Sequence, residues 1–80
     1  MERKNSIGQR AFRAVEKRVD ENGTSVLIEM AILGAERTSY RAWEKGEGNP
    51  SAYYLRQLAL RGYDVMWILL GDEYGKAIRD

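Results

Sequence analysis

The chain has 80 residues, of which 44% are hydrophobic and 31% are charged, with one proline, which is the composition of one small globular domain. It has no cysteine and no histidine, which excludes disulfides, thiolate or imidazole metal sites and histidine-based acid–base catalysis. The sequence also has no run of about 20 apolar residues and no apolar segment behind a basic N-terminus. We therefore expect a cytoplasmic protein that is not an enzyme, does not enter a membrane, and has no metal, cofactor or evident small-molecule ligand.

Charge is distributed unevenly along the chain, although the net charge is only +1. Residues 1–18 hold six basic and two acidic residues, a net +4, and the remaining residues hold seven basic and ten acidic residues, a net −3. Residues 1–5 are expected to form a flexible basic arm. A basic N-terminal segment on an otherwise near-neutral protein favours a molecule with one side that faces nucleic acid. An ordinary charged helix in solvent has the same pattern of charges.

The first predicted helix spans about residues 7–21. Ser6 is a good N-cap with Gln9 three residues later, and the pair Asn22-Gly23 tolerates the left-handed dihedrals that end a helix. Apolar residues recur at helical spacing on one face, namely Ile7, Ala11, Phe12, Val15 and Val19. The opposite face is expected to carry Arg10, Arg13, Lys17 and Asp20.

The second predicted helix begins after Thr24 or Ser25 and runs to Leu33. From residue 25 to residue 33 only Ser25 and Glu29 are polar, so we expect this helix to be buried in the middle of a bundle. Gly34 then separates it from the next helix.

The third predicted helix covers residues 37–45. Tyr40 and Trp43 are three residues apart and are expected to anchor it to the core, so that Arg37, Thr38 and Arg41 face outwards. Two short helices around a glycine turn, the second with a polar face, follow the helix-turn-helix plan, in which the second helix enters the DNA major groove. Arginine can donate two hydrogen bonds to guanine, and threonine can contact a thymine methyl group. Taken alone, the polar face is equally compatible with an ordinary solvated surface.

Two further helices are predicted after the loop that contains Pro50. One starts after Ser51 and closes at Gly62; the other is capped by Asp64 and covers Val65 to Leu70. Residues 65–70 are nearly all apolar and lie near the end of the chain, and we expect part of this apolar surface to form a dimer interface. The residues predicted for that interface, including two from the tail at 73–80, are Trp67, Ile68, Leu70, Tyr74 and Ile78.

Residues 33–51, LGAERTSYRAWEKGEGNPS, resemble the Cro/CI-type (XRE-type) helix-turn-helix family of phage repressors and small regulators. The shared features are a Leu-Gly turn, polar residues at the start of the recognition helix, the pattern aromatic-Glu-x-Gly at its end, and a following loop that contains proline. In this chain they are Leu33-Gly34, residues 37–39, residues 43–46 and Asn49-Pro50. Residues 62–72, GYDVMWILLGD, resemble the fifth helix of that family. The resemblance implies an all-α, compact five-helix bundle of the lambda-repressor type over residues 6–72, with the helix-turn-helix at helices 2 and 3.

The resemblance also implies which residues contact DNA. Base contacts are expected from Arg37, Thr38 and Arg41, with Ser39 and Ala42 close to the groove. Phosphate contacts are expected from Ser25, Lys45, Asn49, Ser51, Tyr53 and Arg56. The family commonly has a phosphate-binding glutamine where this chain has Val26, and Arg10 and Arg13 of the first helix are expected to compensate.

The sequence therefore predicts a sequence-specific regulator of transcription that binds double-stranded DNA, expected to be a repressor of the phage or prophage type. It would act as a homodimer on a palindromic operator, with two recognition helices in major grooves about 34 Å apart. The alternative is a protein-interaction module or an antitoxin built on the same fold.

Overall fold

The computed structural model describes residues 6–74, which form five α-helices and no β-strand. The helices are α1 (Ile7–Asn22), α2 (Val26–Leu33), α3 (Arg37–Lys45), α4 (Ala52–Leu60) and α5 (Val65–Leu70). The predicted all-α five-helix bundle is confirmed, and the predicted helix bounds agree closely with those observed. Within the same residues, no helix has the length and apolar character needed to cross a lipid bilayer. The predicted arm at 1–5, the end of the tail at 75–80, and with it Ile78, lie outside the described residues.

Local capping signals explain where the helices begin and end. Ser6, Ser25, Ser51 and Asp64 each accept a hydrogen bond from the backbone N–H three residues later, which satisfies a donor that the first turn leaves free. Glu36, before α3, makes no such side-chain bond. At the other end of the first three helices stands a glycine in the left-handed conformation, a region that other L-residues rarely adopt.

The core lies around α1, which packs against α2, α3 and α5. Phe12 of α1 and Tyr40 of α3 have ring centroids 4.8 Å apart, and Trp43 contacts Tyr54 edge-on with centroids 5.8 Å apart. These rings join three helices through apolar contacts. The buried apolar residues are Ala11, Val15, Val19, Met30, Leu33, Tyr40, Trp43, Leu58, Tyr63 and Ile68.

The start of α1 lies directly against the loop between α3 and α4. A Cβ atom added to Gly8 would lie 2.1 Å from the carbonyl oxygen of Gly48, so no larger residue fits there without movement of the backbone. The Gly8 N–H donates a 2.9 Å hydrogen bond to Asn49 Oδ1. Gly8 therefore permits the close approach of α1 to the loop, and the hydrogen bond to Asn49 stabilises it.

The prediction that α2 is buried in the middle of the bundle is wrong. Leu27, Ile28 and Ile32 are 61%, 55% and 50% exposed, and α2 buries only Glu29, Met30 and Leu33. The helix lies at the edge of the bundle and contacts its neighbours along one face. Since nearly every position of α2 is apolar, its sequence has no periodicity to show which face is exposed.

Glu29 links α2 to the end of α4 and the residues that follow. Its carboxylate accepts hydrogen bonds from Arg61 Nε and Nη2, at 3.1 and 3.0 Å, and from Tyr63 Oη at 2.8 Å. The guanidinium of Arg18 from α1 lies 3.9 Å from the centroid of the Tyr63 ring. The Arg61 hydrogen bonds lower the pKa of Glu29 in spite of its burial. Burial, followed by the hydrogen bond to Glu29, raises the pKa of Tyr63.

Candidate nucleic-acid interface

Helix α3 has one face in the core and one face in solvent. Tyr40 and Trp43 are buried, whereas Arg37, Thr38 and Arg41 are exposed, so the predicted surface position of these three residues is confirmed. Ser39 and Ala42 are half-buried and flank the exposed face. The aromatic anchors fix the rotation of α3 about its axis, and this rotation determines which side chains reach a partner.

The turn between α2 and α3 contains three residues, Gly34, Ala35 and Glu36. Gly34 has φ 75°, and the N–H groups of Gly34 and Ala35 donate to the carbonyls of Ala31 and Met30, at 3.2 and 3.0 Å. These bonds close the end of α2 in the arrangement typical of a glycine C-cap. The turn is therefore short and hydrogen-bonded, which fixes the position of α3 relative to α2.

An open groove of about 390 Å³ lies between α2 and α3. Arg37, Arg41 and Glu44 line its α3 side, and Leu27 and Ala31 are among the apolar residues of α2 that line the opposite side. Tyr40 also lines the groove; its Oη atom is buried and has no hydrogen-bond partner among residues 6–74. Burial, and then the charges of Glu16 and Glu44, raise the pKa of Tyr40, so this side chain stays a neutral phenol.

Several predicted phosphate contacts lie on the surface around α3 and the start of α4. Lys45, Tyr53 and Arg56 are exposed. Ser25 and Ser51 are also exposed, and although their oxygens accept N-capping hydrogen bonds, each hydroxyl can still donate one. The Tyr53 Oη atom lies 3.7 Å from the position a Cβ would take on Gly34, so Tyr53 reaches the turn before α3. These positions suit phosphate contacts, which stay a prediction.

Asn49 has a structural role that its position in the loop did not indicate. Its Oδ1 accepts the hydrogen bond from Gly8, so a phosphate contact would have to use the side-chain NH₂ group. The partners are 41 residues apart in the sequence, which explains why the loop motif alone predicts only a phosphate contact.

The prediction that Arg10 contacts phosphate is wrong. Arg10 is only 9% exposed, and its Nε and Nη2 atoms donate to the backbone carbonyls of Ile68 and Leu69, at 2.8 and 3.1 Å. A Cβ on Gly71 would lie 2.8 Å from the guanidinium carbon, so this glycine leaves the space that Arg10 fills. The guanidinium therefore satisfies carbonyls at the end of α5 instead of facing solvent. Arg13 is exposed on α1, and its contact with phosphate stays a prediction.

The prediction that Ile68 contributes to a dimer interface is also wrong, because its side chain is completely buried within the bundle. Trp67, Leu70 and Tyr74 are half-buried, and their contact with a second subunit stays a prediction. The exposed apolar side chains of α5 are instead Met66 and Leu69. In this six-residue helix, Ile68 therefore points into the bundle, whereas Met66 and Leu69 point into solvent.

Comparison of the chain with models of known protein families, with curated proteins and with solved structures gives no match. Within residues 6–74, no cluster of three or more histidine, cysteine or acidic side chains is placed to hold a metal ion.

Proposed function

We propose that this chain is a sequence-specific regulator of transcription that binds double-stranded DNA through α3. The observation that carries the proposal is the exposure of Arg37, Thr38 and Arg41 on one face of a helix whose other face is fixed by Tyr40 and Trp43. A short helix preceded by a tight turn, with such side chains projecting from it, fits the dimensions of the major groove. The resemblance of residues 33–51 to the Cro/CI-type family supports the same proposal.

In the proposed mechanism, bases and phosphates are contacted by different residues. Arg37 and Arg41 donate paired hydrogen bonds to guanine, and the Thr38 methyl group contacts thymine. Lys45, Ser51, Tyr53, Arg56 and Ser25 contact the phosphate backbone and set the register of α3 without reading sequence. Bound at a promoter, the protein would act in the cytoplasm as a repressor of the phage or prophage type, by excluding the transcription machinery.

A protein-interaction module, or an antitoxin that binds both DNA and a toxin, is the second candidate. The exposed apolar side chains of α2 favour it, because exposed apolar surface of this kind commonly marks a contact with another protein. Binding to DNA distinguishes the proposed regulator from an interaction module without DNA-binding function, which would show none at low salt; an antitoxin would bind DNA and, in addition, a toxin.

The proposal is tested by fluorescence anisotropy with duplex DNA from upstream of the protein's own gene, compared with a scrambled duplex across a salt series. We expect the upstream duplex to bind about 10³-fold more tightly or better. Each phosphate contact should contribute about −0.9 to the slope of log affinity against log salt. Weak binding of equal strength to every duplex tried, including fragments selected from a random library, would contradict sequence-specific recognition.

A further inference from the structure

Helix α2 presents an apolar face that nothing in the described bundle covers. Ile28 and Ile32 lie four residues apart on this face, with Leu27 beside them, and at least half of each side chain is exposed. Side chains four residues apart on a helix lie on the same face, so these residues form one stripe. An eight-residue helix with this much exposed apolar surface lowers its free energy by pairing with another surface.

Helix α4 extends this apolar surface. The ion pair between Glu29 and Arg61 places the end of α4 beside the middle of α2, and Tyr53, near the start of α4, reaches Gly34 at the end of α2. The two helices therefore run in opposite directions, side by side. Leu60, next to Arg61, is 69% exposed and lies at the end of α4 that meets α2.

Ile28 and Ile32 of this surface face away from the proposed DNA-binding helix. The groove between α2 and α3 is lined by Leu27 and Ala31 but not by Ile28 or Ile32. Ile28 and Ile32 therefore lie on the α4 side of α2, where the Glu29–Arg61 ion pair also lies. A partner bound to Ile28, Ile32 and Leu60 leaves Arg37 and Arg41 accessible.

The α2 part of this surface is uncharged. The sole ionisable side chain of α2 is Glu29, which is buried and already paired with Arg61. This part therefore does not repel its own copy, whereas like charges brought together across an interface disfavour association. At the end of α4, the exposed side chains of Arg56 and Arg61 flank Leu60, so the charge of the surface lies at its α4 edge.

We propose that the α2–α4 apolar surface, defined as Ile28, Ile32 and Leu60 with Leu27 at its edge, pairs with the same surface of a second copy. The four side chains present on the order of 400–500 Å² in each copy, so two copies would bury about 800–1,000 Å², at the lower limit for a specific interface. A chain of 80 residues has a small core, and pairing enlarges it. An interface of this size predicts a dissociation constant in the micromolar range.

A two-fold dimer presents two copies of α3 to a symmetric DNA site, so this pairing would support the proposed function. Only the role of the dimer on DNA rests on the proposed function. The pairing itself can be tested without DNA. Failure of the dimer and failure of DNA binding are therefore separate results.

The first experiment is sedimentation equilibrium of the full chain and of two double variants. Ile28→Glu/Ile32→Glu places charges on the α2–α4 apolar surface, and Met66→Glu/Leu69→Glu makes the same chemical change on the exposed side of α5. We expect a wild-type dimer, a dissociation constant raised at least 100-fold in the α2 variant, and little change in the α5 variant. All four positions are solvent-exposed, so circular dichroism should show the native helix content in each protein.

A second experiment does not depend on weakening the dimer. Since the chain has no cysteine, Ile32→Cys introduces a single thiol into the proposed interface, and Leu69→Cys introduces one on α5 as the control. We expect mild oxidation at micromolar concentration to give a disulfide-linked dimer of the first variant and much less of the second. A wild-type monomer at several hundred micromolar, or dissociation by the α5 variant but not by the α2 variant, would overturn the proposal.

Discussion

Glu29 is the one charged residue of α2, and its hydrogen bonds stabilise the packing of α2 against the end of α4. Its carboxylate is buried and accepts hydrogen bonds from Arg61 and Tyr63, which follow it by 32 and 34 residues. Helical periodicity relates a residue to others three or four positions away, so it does not reveal partners at this distance. The sequence predicts where α2 lies but not that its acidic residue attaches it to α4.

The pH dependence of stability should reveal this network. Because the folded state lowers the pKa of Glu29 below the ordinary glutamate value of about 4.3, the ionised carboxylate stabilises the fold above that value. This contribution is lost as pH falls through the lowered pKa. Glu29→Gln should lower the unfolding midpoint by about 10 °C at pH 7 and by progressively less as the pH falls below the ordinary glutamate value. Thermal unfolding by circular dichroism across a pH series measures the difference; a difference that does not shrink towards acid pH would contradict the assigned role.

Gly8 should be intolerant of even one added carbon. Gly8→Ala brings a Cβ to 2.1 Å from the Gly48 carbonyl, so we expect a loss of about 3 kcal/mol in the free energy of unfolding, measured with urea. Gly23→Ala is the matched control, because no atom lies within 4 Å of its added Cβ and only its left-handed backbone is strained. The control should lose about 1 kcal/mol. Similar losses for the two variants would show that the close approach at Gly8 is unimportant.

At the scale of the element, helix bounds depend on short-range signals and could be predicted. Ser6, Ser51 and Asp64 cap the helices that follow them, and Gly34 ends α2, as the sequence indicates. The exposure of a helix depends instead on how the bundle packs. A uniformly apolar helix such as α2 gives no sign of which face its neighbours cover.

Helix α1 provides a test of non-specific DNA contacts. If Arg13 meets phosphate, Arg13→Ala should weaken binding to specific and random duplexes equally and reduce the salt slope by about 0.9. Lys17→Ala removes the same charge from an exposed position on the same helix that is not predicted to touch DNA. It should leave the slope unchanged. Anisotropy titrations across a salt series measure both variants, and equal slopes for all three proteins would exclude α1 from the interface.

Over the whole molecule, long-range contacts decide which charged and polar residues remain accessible. Arg10 is bound to carbonyls at the end of α5, and Asn49 is bound to Gly8 at the start of α1. The resemblance implies that both would meet phosphate; both join segments that are far apart in the chain, and only Asn49 keeps a donor group for a phosphate. The exposure of Arg37 and Arg41 could be predicted, because the buried aromatic residues that orient α3 lie within the same helix.

The most direct test of DNA recognition by α3 compares two double variants that remove equal positive charge. Arg37→Ala/Arg41→Ala changes the proposed base-reading face, and Lys45→Ala/Arg56→Ala changes proposed phosphate contacts. Anisotropy gives the affinity of each variant for the specific duplex and for a scrambled duplex. We predict that the first variant loses most of the preference for the specific duplex, at least 100-fold, since each paired base contact discriminates by about 1–3 kcal/mol. The second should weaken both duplexes alike and keep the preference. Retention of the preference by the Arg37→Ala/Arg41→Ala variant, in a protein that remains folded, would contradict α3 as the recognition helix.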